Sequence, residues 1–167
     1  MSRPGSRTTM AGIGLILLVL SVAGVAAAVR SLYSGGAHRL VVTDSDTGRT
    51  VLEAPVSPGT RFVVKYTHSQ TGGPMEMWFV IGLDRRIMLS EIRARILRPE
   101  IEDLTAHARE VVKNDGWTIY RGMNQVIDPL FIRVRVSAGE HSLVINGRET
   151  PLRSIADAGA RLELRVK

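Results

Sequence analysis

The segment RFVVKYTHSQTGGPMEMWFVI, residues 61–81, decides the fold class. Residues 75–81 are apolar at positions on both faces, which predicts a strand at the centre of a sheet. A Gly-Gly-Pro break at residues 72–74 separates it from residues 61–68 and predicts a hairpin. Because a single sheet would leave one face of the central strand in water, at least two packed sheets are needed. Residues 61–68 alternate with the period of a β-strand, with one side formed by Phe62, Val64, Tyr66 and His68.

Short alternating segments bounded by turn residues continue on both sides of this hairpin. Leu40–Thr43 and Thr50–Ala54 flank a Gly-containing turn, and Ser57–Thr60 has the Pro-Gly centre of a type II turn. Asn146 and Gly147 form the favoured pair of a two-residue type I′ hairpin. The chain is therefore predicted to be all-β, a two-sheet sandwich or a partly open barrel of about eight or nine short strands.

One segment departs from the strand pattern. Residues 99–112 place Ile101, Leu104, Ala108 and Val111 on one helical face. Pro99 suits a helix start, and the sequence KNDG at residues 113–116 suits a helix stop. These features predict one helix inserted into the β domain.

The first thirty residues predict a membrane-directed segment. Arg3 and Arg7 precede a span without charge from Met10 to Val29, long enough as a helix to cross a bilayer core of about 30 Å. The positive start predicts a single-pass helix in the inner membrane with its N-terminus inside. The alternative is a signal peptide cleaved near Ala28, which would release a secreted protein.

Both interpretations divide the chain in the same way. Residues 1–30 are the anchor or signal segment, residues 31–37 a polar linker, and residues 38–167 a β domain in the periplasm or outside the cell. The chain has no cysteine and a formal net charge of +6. The absence of cysteine excludes disulfides and thiolate metal sites, and the predicted location argues against nucleic acid as a partner despite the positive charge.

The shoulders of the Gly-Gly-Pro break carry the strongest candidate site. His68, Ser69 and Glu76 are polar residues that a hairpin could bring to one spot, where they could bind a small ligand of unknown identity. The alternatives are catalysis by His68 and Glu76, or a turn stabilised by hydrogen bonds with no ligand. No residue is assigned as catalytic, no cofactor is predicted, and the four histidines lack the spacing of metal ligands.

A weaker candidate site lies in residues 86–97, which are predicted to form a strand. Alternation places Arg93 and Arg95 together on one face, opposite Ile92 and Ala94. Two neighbouring guanidinium groups could bind an anion or lipid headgroups. The alternative is that both arginines are simply solvated.

The motif of Tyr66, His68, Ser69, Pro74 and Glu76 resembles the bacterial family catalogued as domain of unknown function 1850. The resemblance covers roughly Leu40–Lys167 and includes the sequences EIR at 91–93, DGWTIYRGMNQ at 115–125 and HSLVINGRETPL at 141–152. Members of that family are small, begin with a hydrophobic segment, and are often encoded beside tripartite TRAP transporters of the TAXI type. The resemblance implies an accessory role in solute uptake.

Together these features predict a membrane-anchored extracytoplasmic accessory or binding module with a transporter subunit as its partner. One alternative is a small cell-envelope enzyme that uses His68 and Glu76. Another is a structural partner in a membrane complex that binds no small ligand.

Overall fold

The computed structural model describes residues 38–68, 72–95, 107–135 and 141–167. The predicted anchor at residues 1–30 and the linker at 31–37 lie outside the described residues, as does Ser69. Among the described residues, no helix combines the length and apolarity needed to cross a bilayer.

The regular secondary structure of the described residues is β-strand, apart from one short 3₁₀ turn at Leu152–Ser154. Eleven strands follow one another within these ranges: β1 (His38–Asp44), β2 (Thr50–Val56), β3 (Arg61–Thr67), β4 (Pro74–Ile81), β5 (Ile87–Ala94), β6 (Glu110–Asn114), β7 (Trp117–Val126), β8 (Leu130–Arg133), β9 (Ser142–Ile145), β10 (Arg148–Pro151) and β11 (Arg161–Val166). The all-β prediction is confirmed, although the described strands outnumber the eight or nine that were expected.

The strands form two sheets. The smaller has the order β2-β1-β11-β8, and the larger has the order β10-β9-β3-β4-β5-β7-β6. Strand β4 is the fourth of seven, the central place that its two-sided apolarity predicts. Buried side chains from both sheets form one core, so the arrangement is a sandwich. Residues 38–167 form one compact unit.

The two faces of the larger sheet differ in composition. Its inner face packs into the core and includes Phe62, Val64, Tyr66, Met75, Met77 and Phe79. The rings of Phe62 and Phe79 stack there with centroids 5.0 Å apart. Burying each such ring contributes about 1.5–3 kcal/mol. The outer face carries Lys65, Glu76, Trp78, Glu91, Arg93 and Arg121, which the strand register aligns across the sheet.

A bulge in β5 keeps its apolar residues on the inner face. Ile87 and Leu89 are buried, the register shifts at Ser90, and Ile92 and Ala94 are then buried in the opposite phase. The Ser90 hydroxyl donates to the Trp78 carbonyl at 3.0 Å. The extra residue reverses the alternation, so the charged residues of this strand all reach the outer face.

Most of the predicted turns are present. Gly59 has a φ of 86° in the Ser57–Thr60 turn, and the Thr60 amide donates to the Ser57 carbonyl at 2.9 Å. Asn146 and Gly147, with φ of 51° and 76°, join β9 to β10 as a two-residue hairpin. These turns form where sequence predicts them because glycine and asparagine tolerate positive φ.

The predicted helix is wrong at its C-terminal end. Glu110–Asn114 is strand β6, and it pairs with β7 through a turn at Asp115 and Gly116. These two residues have φ of 46° and 75°, as a type I′ hairpin turn requires. The sequence KNDG therefore reverses a hairpin instead of ending a helix, and the β-branched pair Val111-Val112 suits a strand. Residues 96–106, which include the predicted helix start, lie outside the described residues.

Candidate functional site

The segment from His68 to Pro74 joins β3 to β4 as the hairpin that the sequence predicts. The His68 amide donates to the Gly73 carbonyl, and the Gly72 amide donates to the His68 carbonyl, both at 2.8 Å. Gly72 has a φ of 66°, so a glycine suits this point of the turn.

The strand register fixes the face of the sheet on which Glu76 lies. Glu76 is aligned with Lys65 on the outer face, whereas Tyr66 is aligned with Met75 on the inner face. His68 directly follows the end of β3 and lies outside the register of β3 and β4. Ser69 lies outside the described residues. A ligand-binding role for His68, Ser69 and Glu76 stays a prediction, and so does the expected meeting of His68 with Glu76.

Glu76 has its partners on the outer face. Its Oε2 atom accepts a hydrogen bond from the Trp78 indole at 2.9 Å and lies 3.9 Å from the Arg93 guanidinium. These contacts hold the carboxylate within a network of the sheet surface.

Arg93 and Arg95 share the outer face, as alternation predicts. Arg93 donates to Glu91 at 2.5 Å and lies over the Trp78 ring at 4.7 Å. Arg95 donates to the carbonyl of Asp115 at 2.9 Å. Both guanidinium groups therefore contact partners within the chain, and an anion or lipid patch at these two residues stays a prediction.

The inner face offers a different candidate site, which we call the inter-sheet cavity. It has a volume of about 230 Å³ and lies between the inner face of β3 and β4 and the edge strand β8. Its walls are mainly apolar, with a few polar groups of distinct chemistry. The lining consists of Val64, Tyr66, Met77, Phe79, Leu130, Phe131, Ile132, Arg133, Arg135 and His141.

His141 is the buried polar residue of this cavity. It directly precedes β9, and its ring meets the ring of Tyr66 edge to face with centroids 5.3 Å apart. His141 is only 8% exposed. Its Nδ1 atom lies 3.2 Å from the Arg133 carbonyl, while its buried Nε2 atom has no hydrogen-bond partner among the residues that the structure describes. Buried polar atoms are seldom left without a partner, so this atom is the unusual feature of the site.

Burial sets the protonation of both rings. It lowers the pKa of His141, and the nearby positive charge of Arg135 acts in the same direction. Burial raises the pKa of Tyr66, with the charge of Arg135 opposing it. Both side chains are therefore neutral near pH 7, and the site pairs a phenol with a neutral imidazole beside a cation.

A second concavity lies near the 3₁₀ turn and has a volume of about 420 Å³. Its lining is mostly exposed and polar, and includes Arg49, Arg153, Ser154 and Asp157. Within the part of the chain that the structure describes, no three His, Asp or Glu side chains are grouped to hold a metal ion. The inter-sheet cavity is thus the better-formed candidate, because its walls are mainly apolar and include a few polar side chains.

The alternation of apolar residues in β9 is the sequence signal that identifies His141 as an inward residue. Counting back from the Asn146-Gly147 turn, Ile145 and Leu143 occupy the apolar phase of β9, and His141 is next in that phase. A histidine at an inward position is worth testing as a site residue. Tyr66 and Arg135 could not be joined to it without the pairing of β3 with β9 and the position of β8.

Comparison of the chain with protein-family models, with curated proteins and with solved structures finds no match in any of the three.

Proposed function

We propose that this protein is a non-enzymatic binding module that takes a small organic anion into the inter-sheet cavity. In this proposal the N-terminal segment anchors it to the inner membrane, and it serves as an accessory to a solute transporter. The observation that carries the proposal is the mainly apolar inter-sheet cavity, whose lining also includes the rings of Tyr66 and His141 and the cations of Arg133 and Arg135. Pockets that bind small molecules typically combine apolar walls with a few polar groups of this kind.

The shape of the cavity favours a small metabolite. A volume of about 230 Å³ corresponds to about eight water molecules at roughly 30 Å³ each. Apolar lining residues on both sides, such as Val64, Phe79 and Ile132, favour a ligand with an aliphatic or aromatic body.

The charges at the rim favour an anion. Arg133 and Arg135 line the cavity and are exposed, so their guanidinium groups can meet a charged group at the mouth. Arg135 lies close enough to influence both Tyr66 and His141 electrostatically. The ligand would therefore bury its apolar body and direct its charged end to the arginine side.

The enzymatic alternative has less support from the geometry. It needs Glu76 to orient or activate His68, and the register aligns Glu76 with Lys65 on the outer face. A binding module needs only an enclosed cavity with placed polar groups, which the inner face supplies.

The binding proposal can be tested by methyl NMR on the purified full-length protein labelled at methionine. Met77 lines the cavity, whereas Met88 pairs with Val80 on the outer face and serves as an internal control. Addition of small branched or aromatic carboxylic acids should shift the Met77 resonance in a saturable way and leave Met88 unmoved. If no acid of this class moves Met77, or if both methyls move together, the proposed function is wrong.

The proposed location has its own test. A reporter fused after Lys167 that is active only outside the cytoplasm should be active, because Arg3 and Arg7 should hold the N-terminus inside. Activity from a reporter that works only in the cytoplasm would reverse the orientation and remove the extracytoplasmic role.

A further inference from the structure

We infer that the concavity near the 3₁₀ turn, which we call the polar cleft, binds a small zwitterion with two carboxylates and one ammonium group. The lining of the polar cleft includes Arg49, Val51, Arg153, Ser154, Ile155 and Asp157. Its volume of about 420 Å³ falls within the range of about 300–1,000 Å³ that is typical of small-ligand sites. This second site goes beyond the proposed function, which concerns the inter-sheet cavity.

The polar cleft lies where the edges of the two sheets separate. Strand β2 is the last strand of the smaller sheet, and β10 is the last strand of the larger sheet. Near the end of β2, the Asn146 side chain donates to the Pro55 carbonyl at 2.8 Å and joins the two edges. The start of β2 and the 3₁₀ turn after β10 line the cleft instead. The inter-sheet cavity lies beside β8, at the opposite edge of the smaller sheet, so a ligand in one site does not occupy the other.

The polar cleft combines apolar side chains with charged ones. Val51 and Ile155 are half-buried and pack against the core. Arg49, Arg153 and Asp157 are exposed. This combination suits a ligand with a short carbon chain and charged groups along it.

The charged side chains of the polar cleft are not paired with one another. Among the described residues, Arg49, Arg153 and Asp157 form no ion pair, although all three line the same concavity. Exposed arginines elsewhere in the chain do form such pairs, as Arg39 does with Glu53 at 2.9 Å. The cleft therefore keeps two cations and one carboxylate apart, where a ligand can meet each of them.

Asp44 lies near Arg49 but is held by other contacts. Its carboxylate accepts a hydrogen bond from the Asp46 amide at 3.0 Å. That bond is the main cause that lowers the pKa of Asp44, and the charge of Arg49 adds to it. No ion pair joins Asp44 to Arg49 within the described part of the chain, so the guanidinium group stays available to a ligand.

The pattern of charges determines the class of ligand. Each guanidinium group can bind one carboxylate, and the Asp157 carboxylate can accept hydrogen bonds from an ammonium group. A dicarboxylate without an amine would bring its two negative charges near Asp157 with nothing to offset the repulsion. An amine with a single carboxylate would leave one arginine without a partner. An amino dicarboxylic acid matches all three side chains.

The test uses three acids that differ by one charged group. Glutamate has two carboxylates and an ammonium group, glutarate lacks the ammonium group, and γ-aminobutyrate lacks one carboxylate. Each is titrated at neutral pH into the purified full-length protein labelled at the isoleucine methyl groups. Ile155 lines the polar cleft and Ile132 lines the inter-sheet cavity, so their methyl resonances report on the two sites separately. The resonances are assigned from the variants Ile155→Val and Ile132→Val.

Glutamate should shift the Ile155 resonance in a saturable way and leave Ile132 unmoved. It should bind roughly threefold to tenfold more tightly than glutarate or γ-aminobutyrate, because each of these lacks one charged contact at a solvated site. If none of the three acids moves Ile155, or if glutarate binds as tightly as glutamate, the inference is wrong. Neither result affects the proposed function, which is measured at Met77 in the inter-sheet cavity.

Asp157→Asn separates specific recognition from general attraction between charges. The variant should bind glutamate more weakly, because the ammonium group loses its acceptor, yet bind glutarate more tightly, because a repulsive charge is removed. A purely electrostatic surface would bind both acids more tightly after this change, and that result would overturn the inference.

Arginine variants test the two carboxylate contacts. Arg49→Gln and Arg153→Gln should each weaken glutamate binding roughly threefold to tenfold. Arg148→Gln is the matched control, since Arg148 is exposed on β10 and does not line the cleft. An unchanged Ile132 resonance shows that each variant keeps the fold. If the control weakens binding as much as the other two variants, the contacts are not specific and the inference fails.

Discussion

The outer and inner faces of the larger sheet treat their buried polar groups in opposite ways. On the outer face, Glu91 is 7% exposed and contacts Arg93 at 2.5 Å and Arg121 at 3.2 Å. On the inner face, His141 is 8% exposed and its Nε2 atom has no hydrogen-bond partner among the described residues. The two residues are similarly buried, yet only Glu91 has charged partners in the described part of the chain. The outer face therefore pairs its buried charge, whereas the inner face buries a polar atom among mainly apolar side chains.

The charged side chains of the outer face contact one another and the Trp78 ring. Trp78 lies between Arg61 and Arg93, whose guanidinium carbons are 5.1 and 4.7 Å from the ring centroid. Each such cation–π pair contributes about 0.5–1 kcal/mol at a solvated surface. Arg93 also contacts the carboxylates of Glu76 and Glu91, which balance the charge of its guanidinium group.

The largest predicted difference between the faces concerns two neighbouring residues of β4. Phe79→Ala should lower the free energy of unfolding by about 3–5 kcal/mol, because Phe79 is fully buried against Phe62 and leaves a cavity. Trp78→Ala should cost roughly 1–2 kcal/mol, since it removes mainly surface cation–π contacts and one hydrogen bond. Denaturant unfolding of both variants measures the difference. Equal losses would mean that the outer face is as tightly packed as the core.

The next effect concerns the Asn146-Gly147 turn, which sets the register that brings His141 to the inner face. Gly147 has a φ of 76°, and an added Cβ would meet nothing within 4 Å. Gly147→Val should therefore lower the unfolding free energy by about 1–3 kcal/mol through backbone strain alone. Gly147→Asn is the matched control and should cost less, because asparagine tolerates positive φ. An unchanged melting temperature in the valine variant would contradict the strained-turn assignment.

The turns could be predicted from sequence because their chemistry is local. Pro58-Gly59 and Asn146-Gly147 need particular residues at particular positions, and no distant contact changes that requirement. The same local chemistry also explains the error at residues 113–116. An Asp-Gly pair can follow a helix or reverse a hairpin. The apolar spacing before this pair predicts a helix, whereas Glu110–Asn114 is a strand.

The candidate site could not be predicted because it depends on register and on distant strands. Glu76 lies on the outer face because it aligns with Lys65, and a loop one residue longer or shorter would reverse that parity. The cavity needs β8 and β9, which are far from β3 in the sequence, to lie beside it. Alternation predicts the face of its own strand on which each side chain lies. It does not predict which strands are neighbours in the sandwich.

A pH measurement tests the inner face without a ligand. The pKa of His141 is lowered by burial, so the unfolded chain binds a proton more readily than the folded chain. Stability should therefore be complete above about pH 6.5, the pKa of an unperturbed histidine, and should fall as the pH drops below it. In His141→Phe, this part of the pH dependence should disappear. Identical slopes of unfolding free energy against pH in the two proteins would show that His141 is not buried in the neutral form.

The smallest predicted effect comes from Glu76→Gln on the outer face. The amide oxygen can still accept from the Trp78 indole, and the contact to Arg93 is a long one at 3.9 Å on a half-buried surface. The loss of stability should be about 0–1 kcal/mol. Because Glu76 lies on the face opposite the cavity, the variant should bind organic acids with the affinity of the wild-type protein.

Tyr66→Phe, which removes the phenolic donor from the cavity, should weaken the same binding. If Glu76→Gln abolishes binding while Tyr66→Phe does not, the site lies at the hairpin shoulders and the assignment of the two faces must be reversed.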